Sequence, residues 1–218
     1  MTDDAQWHSE AMRMVEGLGP LPSGVVRALL SVPRHRFVPA PFRSRAYDDE
    51  PLPVGRGETT ISAPHMVAFQ LEWAELAPGH VVLEVGSGTG YLLALLAEAT
   101  GPNGVVHGIE LDPLLGEASR RSLASLGYDA RVSVHIGDGA AKMAGLSSFD
   151  RILVSCASPG VFRAWRDELV DGGILVAPVG DHFAQTLVRL RRSGQSESRE
   201  EGPRVRFVPL RTSRRPDI

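Results

Sequence analysis

Lysine and cysteine are almost missing from this 218-residue chain: Lys142 is the single lysine among 23 basic residues, and Cys156 is the single cysteine. One cysteine excludes an intramolecular disulfide and any cysteine-rich zinc site, and no metal is expected. Cys156 lies in the apolar run I-L-V-S-C-A, which reads as a small buried residue near a strand end. Long apolar runs are also lacking: none approaches the roughly 20 residues that cross a bilayer. The opening M-T-D-D-A-Q-W-H-S-E is acidic and polar where a secretory signal needs a basic stretch and then an apolar one. A cytoplasmic protein with no membrane partner is the expectation. There is no basic surplus either. With a formal net charge of -3, the molecule as a whole has no electrostatic pull toward nucleic acid. The near-replacement of lysine by arginine, with abundant Gly, Ala and Val, points to a GC-rich bacterial genome.

What is present is an ordinary globular composition, 43% hydrophobic and 22% charged, too apolar for intrinsic disorder. One structural domain is expected, with a monomer as the default. Residues 1–66 read as helices, an arm and a loop packed on the core, 67–192 as the core, and 193–218 as a loop, a last strand and a basic tail. Helices are expected at 9–16 and 23–30, the second capped by Ser23. Five prolines between Val32 and Pro53 make that stretch an extended arm. From His80 onward, strands at 80–85, 104–110, 131–136, 149–155 and 173–179 alternate with helices at 91–99, 113–126 and 161–169. Strands without polar alternation, spaced by helices, belong to a parallel sheet covered on both faces, a doubly wound Rossmann-like α/β fold. The segments 185–191 and 205–210 are expected to add an antiparallel pair, joined by an exposed loop at 193–203. The nine arginines from Arg189 to Arg215 read as a solvated surface.

V-L-E-V-G-S-G-T-G-Y, residues 82–91, follows a strand and opens a helix. Gly86, Gly88 and Gly90 around Ser87 give a close backbone approach to a ligand, but Tyr91 stands where a dinucleotide fingerprint wants its third glycine. Three acids add the discrimination. Glu110 ends the second strand and can accept from both hydroxyls of a ribose. Asp138, beside Gly139 after the third strand, can accept from an adenine amino group, or simply cap its own turn. Glu84, next to the glycines, would repel a diphosphate and attract an ammonium, or pair with an arginine. A nucleoside carrying a positive amino acid satisfies all three. The expected cofactor is S-adenosylmethionine, with S-adenosylhomocysteine as product.

The loop T-I-S-A-P-H-M, residues 60–66, places Ser62, a cis-capable Ala63-Pro64 bond and His65 ahead of this turn. Ser62 could be a nucleophile, a helix cap, or part of a lid over the cofactor. No G-x-S-x-G elbow accompanies it, which weighs against a hydrolase. A non-catalytic binding module that retains the fold would show a ruined glycine turn, and this one is intact.

R-H-R-F-V-P at 34–39, A-Y-D-D-E-P-L-P-V-G at 46–55, T-I-S-A-P-H-M, the glycine turn, G-D-G at 137–139, L-V-D-G-G-I-L-V-A-P-V-G at 169–180 and V-R-F-V-P-L at 205–210 together resemble the protein-L-isoaspartate O-methyltransferases. The resemblance covers about Val32 to Leu210. It implies methyl transfer to the α-carboxylate of isoaspartyl residues in damaged proteins or peptides, after which the ester collapses to a succinimide that yields some normal aspartate. It implies Ser62 as the active-site serine, and Thr59, Thr60, Ile61 and His65 as the cofactor-side loop. A carboxylate is already ionised at pH 7, so its methylation needs no general base, and Ser62 reads as a positioner. The chain departs from the family pattern in R-G-E-T-T before Ile61, one residue longer than usual, in S-C-A-S-P-G-V-F at 155–162, and in the placing of Thr212. The alternative acceptor is an ordinary aspartate on a dedicated biosynthetic precursor peptide.

Overall fold

The computed structural model describes residues 3–55, 57–143, 145–146, 148–212 and 214. Arg56, in the lengthened loop, and Arg215, at the end of the basic stretch, lie outside the described residues. The core is a seven-stranded sheet in the order β5-β4-β3-β6-β7-β8-β9. Its strands are β3 (Val81–Val85), β4 (Val105–Glu110), β5 (Val132–Ile136), β6 (Phe149–Val154), β7 (Leu169–Gly180), β8 (Gln185–Ser193) and β9 (Ser196–Val205). The first five run parallel, while β8 is antiparallel to both β7 and β9. A separate ribbon pairs β1 (Leu52–Pro53) with β2 (Thr60–Ile61).

Successive side chains of a strand point to opposite faces, and here both faces are covered. Val82, Leu153, Ile174 and Leu187 join one cluster with α1 (Asp3–Gly17), α2 (Ser23–Ser31), α3 (Pro64–Trp73) and α4 (Tyr91–Thr100). Leu83, Ile152, Leu175 and Val188 join the other, beneath α6 (Arg163–Asp167) and its fully buried Trp165. Burial of one large apolar side chain contributes roughly 1.5–3 kcal/mol. Trp165 also donates from Nε1 to the Gly139 carbonyl at 2.7 Å, tying this layer to the turn after β5. The remaining helix, α5 (Pro113–Ser125), starts behind Asp112, whose side chain accepts from the backbone N–H of Leu114 and Leu115.

The structure corrects several expectations. The first helix runs from Asp3 to Gly17, longer at its start than 9–16. Pro22, not Ser23, holds the cap position of α2, and no side chain caps it. The proline-rich arm is packed: Pro33 and Pro39 each precede a 3-10 turn, Arg34–Phe37 and Ala40–Arg45, and Arg34, Phe37, Val38 and Ala46 are buried. A fixed φ near that of a helical first residue lets proline start these turns. The Ala63-Pro64 bond is trans.

The largest correction falls near the end of the chain. The polar stretch 193–203 is not a loop, since a two-residue turn at Gly194 and Gln195 returns it as edge strand β9. An edge strand with both faces wet can be polar throughout, which hides it from periodicity. The run 205–210 instead leaves the sheet after Val205 and crosses the strand ends. Gln185 brackets Phe207, accepting from its N–H at 2.6 Å and donating to its carbonyl at 3.0 Å. Ala157 fixes the next turn, donating to Val208 and accepting from Leu210.

Gly90 sits at φ +86, and a Cβ there would lie 2.3 Å from Ser119 Oγ and 3.1 Å from Leu123 Cδ1. Gly90→Ala is expected to lower stability by about 1–3 kcal/mol. An unchanged thermal midpoint would show that α5 yields around the added methyl.

Candidate active site

The parallel strands all end at one rim, and their last backbone groups assemble the glycine turn. Gly86 and Ser87 donate to the Ile109 carbonyl at 2.9 and 3.1 Å, Ser155 donates to Val85 at 2.8 Å, and Gly137 donates to Glu110 at 2.9 Å. The turn is therefore built from the sheet itself. Gly86 adopts φ +78, and a Cβ on it would come within 3.0 Å of Cys156 Sγ. Cys156 is buried and burial pushes its thiol up, which suits a packing role.

Two cavities meet at this rim. A cleft between the strand ends and the incoming loop is lined by Thr59, Thr60, Gly86, Gly88, Glu110 and Gly139, among others. It continues past Ile61, Ser62, Glu84, Ser87 and Tyr91. A groove of about 760 Å³ lies beside it, between α3 and the crossing segment. Thr60, Ser62 and Ser155 line both.

Glu110 is held by backbone: Oε2 accepts from Gly88 N–H and Oε1 from Asp112 N–H, each at 2.9 Å. Each oxygen keeps a second lone pair for a ribose hydroxyl. Asp138 does cap its own turn, accepting from Ala140 N–H at 2.9 Å, while its second oxygen accepts from Thr212 Oγ1 at 2.8 Å. Arg214 Nε stands 4.0 Å from the same oxygen. Among the described residues Glu84 pairs with no arginine. It is buried, its Oε1 accepts from Ser155 Oγ at 2.8 Å, and its Oε2 has no hydrogen-bond partner among the described residues. Burial raises its pKa to about 8, against the pull of the Ser155 hydroxyl and with help from the nearby Glu110 charge. A buried acceptor short of a donor, at the floor of a cleft with hydroxyl-accepting Glu110 at its side, fits an ammonium-bearing nucleoside. Glu84, Gly86, Gly88, Glu110 and the turn around Asp138 and Gly139 would hold S-adenosylmethionine.

Ser62 does not cap α3, whose cap position is Ala63 with no side-chain bond. Its hydroxyl makes no hydrogen bond among the described residues, while its carbonyl accepts from Arg34 Nη2 at 2.9 Å. Arg34 is fully buried, donates also to the Ala46 carbonyl at 2.7 Å, and lies 4.9 Å from the centre of the Tyr91 ring. His65 lines the groove. It is the second residue of α3, where Asp49 Oδ1 accepts from its backbone N–H at 2.9 Å and from Nδ1 at 2.8 Å. Arg34, Asp49, Ser155, Arg211 and the Thr212 contact were not foreseen as site features, although the motifs at 34–39 and 46–55, the stretch 155–162 and the placing of Thr212 include four of them. Among the described residues no helix is long and apolar enough to cross a membrane.

A glycine turn after the central strand, acids at the neighbouring strand ends and an antiparallel strand beyond the fifth define an S-adenosylmethionine-dependent methyltransferase. The model of the family described as Protein-L-isoaspartate(D-aspartate) O-methyltransferase (PCMT) matches residues 18–215. The Hyperthermus butylicus protein-L-isoaspartate O-methyltransferase is 45% identical, over 96% of this chain and 92% of its own length. A solved protein-L-isoaspartate O-methyltransferase superposes with a TM-score of 0.85 at 26% identity, covering 94% of this chain and 66% of that one. A Plasmodium falciparum structure of that description, in complex with S-adenosyl-L-homocysteine, superposes with a TM-score of 0.81 at 22% identity, over 94% of this chain and 98% of that one. The chain belongs to the protein-L-isoaspartate O-methyltransferase family.

An acid whose folded pKa exceeds its unfolded value destabilises the fold progressively as pH rises from one to the other. For Glu84 that window runs from its ordinary value of 4.5 to about 8. Glu84→Gln is expected to raise the thermal midpoint of the cofactor-free protein at pH 8 more than at pH 5, and to weaken cofactor binding in calorimetry. An unaltered slope of midpoint against pH would show that Glu84 ionises without penalty.

Proposed function

We propose that this chain methylates the α-carboxylate of L-isoaspartyl residues in damaged proteins, the first step of their repair through a succinimide. The observation that carries this reading is the shared wall: Thr60, Ser62 and Ser155 face both the cofactor cleft and the wide groove. An acceptor carboxylate entering from the groove meets the cleft at Ser62. When bound, S-adenosylmethionine supplies a sulfonium methyl, whose transfer to a carboxylate oxygen leaves the neutral thioether of S-adenosylhomocysteine.

The chain's part is positional. An α-carboxylate is ionised at neutral pH, so no side chain has to remove a proton. The Ser62 hydroxyl, unengaged among the described residues, can donate to one carboxylate oxygen and leave the other free to attack. Arg34 fixes the Ser62 backbone through its carbonyl, so the hydroxyl is aimed before the acceptor arrives. Ile61, buried beside it, gives the junction an apolar wall. Thr59, Thr60, Ile61 and Ser87 complete the cofactor walls, and His65 belongs to the acceptor side. A monomer in a bacterial cytoplasm fits the arginine-for-lysine composition and the charged edge strand β9, which resists strand pairing between copies. The arm, sheet and crossing segment act as one structural domain.

The test is methyl transfer from labelled S-adenosylmethionine to two peptides that differ only in isoaspartate or aspartate at one position. Methylation of the isoaspartyl peptide alone is expected; equal methylation of both overturns the repair reading, and silence on both directs attention to a dedicated precursor peptide. Ser62→Ala is expected to lower kcat by about ten- to a hundred-fold, as removal of an orienting donor does. Its cofactor Kd should stay near that of the parent. Asp138→Ala should instead weaken cofactor binding, and an unchanged Kd would remove Asp138 from the adenine site.

A further inference from the structure

The arginines between Arg189 and Arg215 are not one solvated surface. Arg189 pairs with Glu75 at 3.0 Å and with Glu200, Arg191 pairs with Glu75 at 2.7 Å, and Arg199 pairs with Glu201 at 3.3 Å. Arg192 donates to the Leu169 carbonyl, and Arg211 lines the cofactor cleft. Arg204 and Arg206 stand apart: both are exposed, both line the wide groove, and neither has an ion-pair or hydrogen-bond partner through its side chain among the described residues.

Their backbone is held firmly. Arg204 lies on β9 opposite Thr186, and buried Gln185 brackets Phe207 on the far side of Arg206. Val205 and Phe207, between and beyond them, pack inward. Two unneutralised cations therefore sit on a fixed wall, two residues apart, over the groove that leads to Ser62. The facing wall carries exposed Glu72 and the His65–Asp49 pair. Deamidation converts a neutral amide into a carboxylate, so a damaged segment gains negative charge, while the enzyme's overall charge of -3 offers such a segment no long-range attraction. Local cations are what could hold it.

We propose that Arg204 and Arg206 form a subsite for carboxylate side chains flanking the methyl-accepting residue, so that acidic segments are the preferred acceptors. This rests on the groove being the acceptor site, as argued above. Three isoaspartyl peptides, identical except for Glu, Gln or Lys at the two positions on each side of the isoaspartate, are compared in kcat/KM at low and high salt. The Glu peptide is expected to exceed the Lys peptide by about five-fold, from exposed charge pairing of ordinary strength. Most of the difference should lie in KM and should shrink in 0.5 M salt, as screened pairs do, at about that concentration. Arg204→Gln with Arg206→Gln should flatten the preference, and Arg204→Glu with Arg206→Glu should invert it. Equal kcat/KM for the Glu and Lys peptides, or a ratio that survives both double substitutions, overturns the subsite. Failure of the uncharged Gln peptide to accept methyl would instead overturn the functional reading itself, and the subsite with it.

Discussion

The buried guanidinium of Arg34 is the contact on which the rest of the site depends. Among the described residues no carboxylate pairs with it; the carbonyls of Ala46 and Ser62 and the face of Tyr91 take its place, and Nη1 is left without a hydrogen-bond partner. Those partners come from three parts of the chain, the arm, the loop and the first turn of α4. Burial disfavours the charge and lowers the pKa of Arg34 despite the partly offsetting Tyr91. Burying such an ion is costly, and two of its three nitrogens are answered by these carbonyls, so any movement of the loop away from the glycine turn would strip one more donor of its partner. The geometry that brings Ser62 to the cofactor cleft is thereby the geometry that satisfies Arg34 Nη2.

Glu84 is a second buried ionisable group left partly unsatisfied. Its carboxylate is buried with one oxygen unanswered, and it weakens the cofactor-free fold wherever the unfolded chain would ionise it. Hydrophobic residues of similar volume would suit the β3 end better, as Val82 and Val85 do on the same strand. A destabilising group at the convergence of a cleft is explained by a ligand that supplies what is missing. Local strain of this kind is tolerated because Gly86, Ser87, Ser155 and Gly137 extend the sheet's hydrogen bonding past its strands, leaving the turn rigid around it.

The parallel half of the fold was legible because burial on both faces writes itself as uninterrupted apolar runs, and the glycine turn because its conformation is demanded locally. The acids were legible as strand-end residues, yet their partners were not: Asp138 is held by Thr212, 74 residues away, and no local pattern encodes such a contact. The arm misled through its prolines, which break regular helices but start the short turns that bury Phe37 and Val38. Ser193 to Val205 misled for the converse reason, since an edge strand with two wet faces has no hydrophobic period to read.

The two cavities differ in kind, and the difference follows from what walls them. The cleft is bounded by strand ends and a glycine turn whose positions are fixed by main-chain hydrogen bonds, which suits one small molecule of constant shape. The groove is bounded by the exposed side of α3 and by a segment that has left the sheet, and it is open along its length. An enzyme that must accept one altered residue in many different chains needs tight definition at the reacting carboxylate and loose definition around it. Ser62, at the junction, belongs to the defined part because Arg34 anchors it. Arg204 and Arg206 belong to the loose part, where exposed charges bias the choice among segments without fixing their shape.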